Sequence, residues 1–189
     1  MHLSSLPSDS KTMNLSMSHP CSSGFICGQI LEICKLLDHS AIGMDIRESL
    51  LFPLIEGIHV LALSLSIGLV VITDLRLMGV VMRNRPASEI WSQFSPWMMS
   101  GFGVMFLTGA LLFWSHALSA YNSTAFRVKL VLLIFSGLNA TIYHVTIYRK
   151  LDQWDASPIP PLQARLAGWT SLILWAGVIT MGRIMAYTF

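Results

Sequence analysis

LLFPLIEGIHVLALSLSIGLVVIT, residues 50–73, decides the fold class. A bilayer core is crossed by about 20 consecutive apolar residues, and this run is long enough to do so. Inside it stand Glu56 and His59, one helical turn apart. An ionisable side chain at such a depth costs roughly 2.5–3.5 kcal/mol on insertion scales, so it calls for a partner, a ligand or a proton path. The stretch therefore reads as a membrane span with a polar site built into it.

Three further apolar segments follow, Phe94–Leu118, Phe126–Tyr148 and Leu166–Tyr187, each near spanning length. Breakers and polar residues separate them: Asn84-Arg85-Pro86, Tyr121-Asn122-Ser123 and Ser157-Pro158-Ile159-Pro160-Pro161. The composition agrees, with 53% hydrophobic and 12% charged residues, where a soluble domain carries about a quarter charged. A net charge of +2 without a basic, aromatic-interleaved tract excludes a nucleic-acid partner. The expected fold is all-α: a polytopic membrane four-helix bundle over residues 49–189, in contact with the lipid bilayer.

Ahead of the bundle, residues 26–40 place Ile26, Ile30, Ile33, Leu36 and Leu37 at helical spacing, with Glu32, Lys35 and Asp38 elsewhere on the turn. That pattern predicts an amphipathic helix on the membrane surface within residues 25–48. Residues 1–24 are Ser-rich and polar and read as disordered, and Met13 and Met17 are alternative starts. Cys21, Cys27 and Cys34 follow neither a CxxC nor a zinc spacing, so we read them as small apolar residues.

Basic residues set the expected orientation. Arg76, Arg83 and Arg85 occupy the first loop, and Arg149, Lys150 and Arg165 flank the third. The positive-inside rule puts both loops in the cytoplasm and both termini in the periplasm of a bacterial inner membrane.

Two polar sets follow from this layout. Near the outer face stand Glu56, His59, His116, Arg127, Lys129 and Arg183; near the inner face stand Asp74, Asn139, His144 and Arg165. The spans predict an ion pair between Glu56 and Arg183, which lie at similar depth, and a second between Asp74 and a basic residue of another helix such as Arg165. Gly101, Gly103 and Gly109 on the second span allow either close helix contact or room for a flat ligand. A di-iron site is excluded, because Glu56-x-x-His59 has no second such motif and no further pair of embedded acids. A serine hydrolase lacks its G-x-S-x-G elbow.

ESLLFPLIEGIHVLALSLSIG, VITDLRLMG, AFRVKLVLLIFSGLNATIYH and SLILWAGVITMGRIMAYTF together resemble uncharacterised bacterial four-helix membrane proteins. That resemblance implies a fold and no activity. More distantly, a histidine early in one span with Phe126-Arg127-Val128-Lys129 opening a later one is similar to the membrane domain of copper-resistance D proteins and to HemJ-type protoporphyrinogen oxidases. This second resemblance implies His59 as a haem or metal ligand and Lys129 as a propionate partner.

The expectation is a membrane subunit with an intramembrane histidine site, carrying b-type haem for electron transfer. His59 is its ligand, and His116, His144, Lys129 and Arg183 are the other cofactor-binding candidates. His59 and His144 differ in depth by roughly 10 Å, too steep for one bis-histidine haem, so the sixth ligand is unassigned. The alternative is a non-catalytic accessory subunit of a larger membrane complex, locked together by its ion pairs.

Overall fold

The computed structural model describes residues 24–149, 154–155, 157 and 159–188. The polar stretch expected over 1–24 lies outside them, apart from Gly24. The helices run α1 (Gly24–Asp38), α2 (Ala41–Glu48), α3 (Leu51–Leu77), α4 (Ala87–Ser115), α5 (Ala117–Asn122), α6 (Thr124–Ile142) and α7 (Leu162–Thr188). A π-helical turn, Tyr143–Ile147, continues α6.

Four of these, α3, α4, α6 with its π turn, and α7, are long and apolar enough to cross a membrane. Only 17–28% of each apolar window is buried inside the protein. The rest is half-buried or exposed, and Leu61, Leu107, Ile134 and Ile173 are among the exposed residues. Water would not tolerate so continuous an apolar surface, whereas lipid matches it. The protein is an all-α bundle with the features of a multi-pass membrane protein.

Around the bundle the order is α4, α3, α7, α6. α3 packs along α4, α7 along α6, and α3 against α7; no comparable packing joins α4 to α6. Small residues set the close contacts. A Cβ on Gly101 would fall on the Ser66 hydroxyl, and one on Gly168 would come within 3.0 Å of the Asp74 backbone carbonyl. The core between the pairs is Ile67, Trp175 and Val178, with Phe102 and Leu132 against them.

Several boundaries differ from the expected ones. α4 begins at Ala87 rather than Phe94, because Pro86 sits just ahead of the helix at φ −56° and ψ 141° and its fixed ring starts a helix well. Asp155 then serves the new N-terminus, accepting from the Ser88 N–H at 2.8 Å. α4 ends at Ser115 rather than Leu118, because His116 leaves the helix at φ −135° and ψ 40°.

The single surface helix expected over 25–48 is two helices. They break at Ser40, whose hydroxyl accepts from the Gly43 N–H and from Trp114 Nε1 at 2.9 Å. Arg47 pairs with Asp38 at 2.8 Å and donates to the Ser115 carbonyl. α1 and α2 thus close over one end of the bundle, against α4 and α5. Cys34 is buried beneath this cap.

At the opposite end Arg76, only 1% exposed, ties the loops together. Its Nε donates to the Arg85 carbonyl at 2.9 Å, and its Nη2 reaches the carbonyls of Asp155 and Ser157 at 3.4 Å.

Candidate functional site

Because α4 and α6 meet only through aromatic side chains near their ends, a cleft of about 330 Å³ opens between them. Its floor comes from α3 and α7. Aromatic pairs bridge the two helices above and below. Toward the capped end Phe113 stacks on Phe126 at 5.4 Å between ring centroids and 12° between planes. Toward the Arg-rich end Trp91 meets His144 edge-on at 4.5 Å and Tyr148 at 5.9 Å. Between these bridges the rim residues Met99, Phe106, Gly137 and Ala140 are exposed, so the cleft mouth opens sideways on the outer surface of the bundle.

The cleft is chemically polarised. Its walls are Met98, Phe102, Leu133 and Trp175, and Phe102 stacks on Trp175 at 5.4 Å. Polar groups gather at its Arg-rich end: Asp74, Ser171, Ser136, Asn139, Tyr143 and His144. Asp74 is 6% exposed. The Ser171 hydroxyl is within its hydrogen-bonding reach, but Asp74 Oδ2 has no partner. An unpaired buried oxygen of this kind is costly in a low-dielectric interior.

Local sequence explains how each group arrives there. Gly168 lets α7 approach the α3 backbone at Asp74, which sets Ser171 one turn further on and opposite the carboxylate. On α6, Thr146 Oγ1 bonds back to the Ile142 carbonyl at 2.5 Å. A side chain that claims this acceptor competes with the regular helical ladder. The Tyr148 N–H reaches the Tyr143 carbonyl instead, a five-residue step. Such π turns are frequent at functional sites, and this one presents Tyr143 and His144 to the cleft.

Of the expected site residues, His59 and Lys129 are brought together in the capped half. His59 Nδ1 lies 2.9 Å from Thr108 Oγ1, whose hydroxyl faces the carbonyls of Val104 and Met105. Nδ1 is then the donor to Thr108. Lys129 is the nearby cation, its Nζ lying 3.5 Å from where a Gly182 Cβ would stand. Of the two uses expected for Gly109, close contact or room for a flat ligand, it serves contact: a Cβ there would come 3.1 Å from His59 Cε1.

His116 and His144 stand apart from this pair. His116 lies at the end of α4, against Phe52 and within 2.9 Å of Ser115 Oγ, and His144 lines the cleft. No two of the three imidazoles converge as axial ligands. Among the described residues, no group of three His, Cys, Asp or Glu side chains gathers to hold a metal ion.

The expected ion pairs need correction. Glu56 is exposed and forms no ion pair among the described residues, and exposed Arg183 reaches Tyr187, with its hydroxyl 3.4 Å away. The cause is the turn of α7: Gly182 faces Lys129, so Arg183 beside it points outward. Asp74 likewise has no pair with Arg165, which is exposed near the start of α7. Gly168 and Ser171 occupy the face of α7 turned toward Asp74.

Reasoning from sequence missed Trp91, Tyr143 and Ser171. The stripe Trp91, Met98, Phe102 and Phe106, at offsets of 7, 4 and 4, carried a signal for the first of these. The other two depend on the π turn and on a glycine contact, which no periodicity shows.

Residues 49–188 match the family of unknown function DUF6644. The chain belongs to that family. The match spans all four long helices and leaves out α1 and α2. No curated protein and no solved structure matches the chain, so the resemblance to copper-resistance D and HemJ-type domains finds no support there.

Proposed function

We propose that this member of the family is a membrane-embedded binding protein. It takes an amphipathic small molecule from the lipid phase, sideways, into the cleft between α4 and α6. One observation carries this reading: an apolar cleft open to the bilayer ends at a buried carboxylate with an unpartnered oxygen. Ligand sites are typically apolar pockets with a few convergent polar groups, and intramembrane ionisable residues are functional candidates by default. The aromatic bridges at each end fix the length of the slot.

The haem reading fits less well. His59 and Lys129 supply one ligand and one cation, but Gly109 packs against the imidazole, and among the described residues no second histidine is found in contact with it. The exposed apolar side chains are spread over all four spans, which suits contact with lipid as much as with a partner subunit.

Three decyl amphiphiles test the reading: decylhydroquinone, its dimethyl ether and decanol. At least one should raise the melting midpoint of the nanodisc-embedded protein, and the gain should vanish in Gly137→Phe. Gly137 lies on the cleft rim, and a Cβ there meets nothing within 4 Å, so the backbone accepts a side chain at this point and the phenylalanine is expected to obstruct the mouth.

For orientation we propose a bacterial inner membrane with the Arg-rich loops cytoplasmic and the termini periplasmic, supported by the arginine bias. A cysteine at exposed Asn84 should resist impermeant maleimide in intact cells. Its labelling there would reverse the orientation.

A further inference from the structure

The polar end of the cleft narrows the ligand's chemistry. A decisive feature is Asp74 Oδ2, an acceptor buried beyond nine-tenths and without a partner. A ligand seated here gains most by donating a hydrogen bond to it. Such a donor must be small, uncharged enough to travel through lipid, and compatible with the aromatic surfaces beside it. Trp91, Phe102, Trp175, Tyr143 and His144 all line the same cleft, and flat rings prefer offset or edge-on contacts with such neighbours.

An aliphatic alcohol offers the donor but leaves the aromatic walls without a ring to contact. An ammonium head group could pair with Asp74, but no other acidic side chain lines the cleft to share its charge, and it would have to be stripped of water on entry. A phenolic ring satisfies both demands: its hydroxyl donates to the carboxylate and its faces lie against the aromatics. Resting on the binding reading above, we propose that the cleft takes a phenolic or hydroquinone head group, with its apolar tail leaving between α4 and α6 into lipid. Asp74 Oδ2 accepts the ring hydroxyl. Ser171, already within reach of the carboxylate, holds that carboxylate in place. Asn139 is committed in part elsewhere, its Nδ2 donating to the Ala167 carbonyl at 3.1 Å.

The test measures affinity through quenching of Trp91 and Trp175 fluorescence and through melting shifts, in the full chain reconstituted in nanodiscs. Decylhydroquinone should bind at least about tenfold more tightly than its dimethyl ether, equivalent to ~1.4 kcal/mol, because methylation removes the donor. In Asp74→Asn, which keeps the shape but loses the charged acceptor, that preference should fall to about twofold or less. Ser64→Ala, on an exposed face of α3 outside the cleft lining, should keep it.

If the ether or decanol binds wild type as tightly as the hydroquinone, the phenolic assignment is overturned while the binding reading stands. If none of the three binds in a way that Gly137→Phe abolishes, both fall. A preference that survives in folded Asp74→Asn would also overturn the role of Asp74.

Discussion

At the residue scale, glycines and one aspartate decide how close the helices come and what they enclose. Gly168 is a clear case between two of the long helices, since a methyl there meets backbone, which cannot rotate away. Gly168→Ala should destabilise the bundle by about 1–3 kcal/mol, as overpacking in a tight contact does. Gly57→Ala, with open space around its Cβ, should be neutral or gain up to about 1 kcal/mol from helix propensity. Unfolding in detergent with a denaturant series reads both, and equal effects would remove the packing account of Gly168. The sequence marked Asp74 as an embedded charge but pointed to an ion pair. What redirected it is the identity of the α7 face opposite, Gly168 and Ser171 rather than Arg165, which depends on a helix rotation that spacing alone does not fix.

At the element scale, the cap formed by α1 and α2 lies beside a half-buried histidine whose charge depends on pH. His116, at the end of α4, is held below the usual histidine range by burial first and then by Arg47, with Asp38 opposing. A histidine with a lowered folded value is favoured in its neutral form, so the undocked state binds more protons as pH falls. Docking of the cap is therefore fully favoured above about pH 6.5. It weakens as pH drops below that value toward the lower, docked one. Hydrogen-exchange protection of residues 28–48 should fall between pH 7.5 and 5.5 in wild type and change less in His116→Gln. Equal losses in both proteins would separate the cap from His116.

The helical spacing of Ile30, Ile33 and Leu36 was legible in the sequence, and these residues are exposed. Its division into two helices was not, because the break depends on Ser40 bonding Trp114, a partner 74 residues away. The π turn escaped for a similar reason: Thr146 bonding to Ile142 leaves no mark on apolar periodicity.

At the scale of the whole molecule, the four spans were readable because lipid imposes length and hydropathy on each helix separately. How they are arranged was not, because apolar surfaces facing lipid and facing protein have the same composition. The unclosed seam between α4 and α6 belongs to that second category, and the binding reading rests on it. The melting midpoint of the nanodisc-embedded protein against added decyl amphiphile, wild type beside Gly137→Phe, tests it most directly. Wild type should gain stability that grows with ligand, about 2.7 kcal/mol at a hundredfold excess over Kd, while Gly137→Phe should melt at one temperature throughout. Identical curves for the two proteins would mean that the amphiphile acts on the bilayer and that the cleft binds nothing.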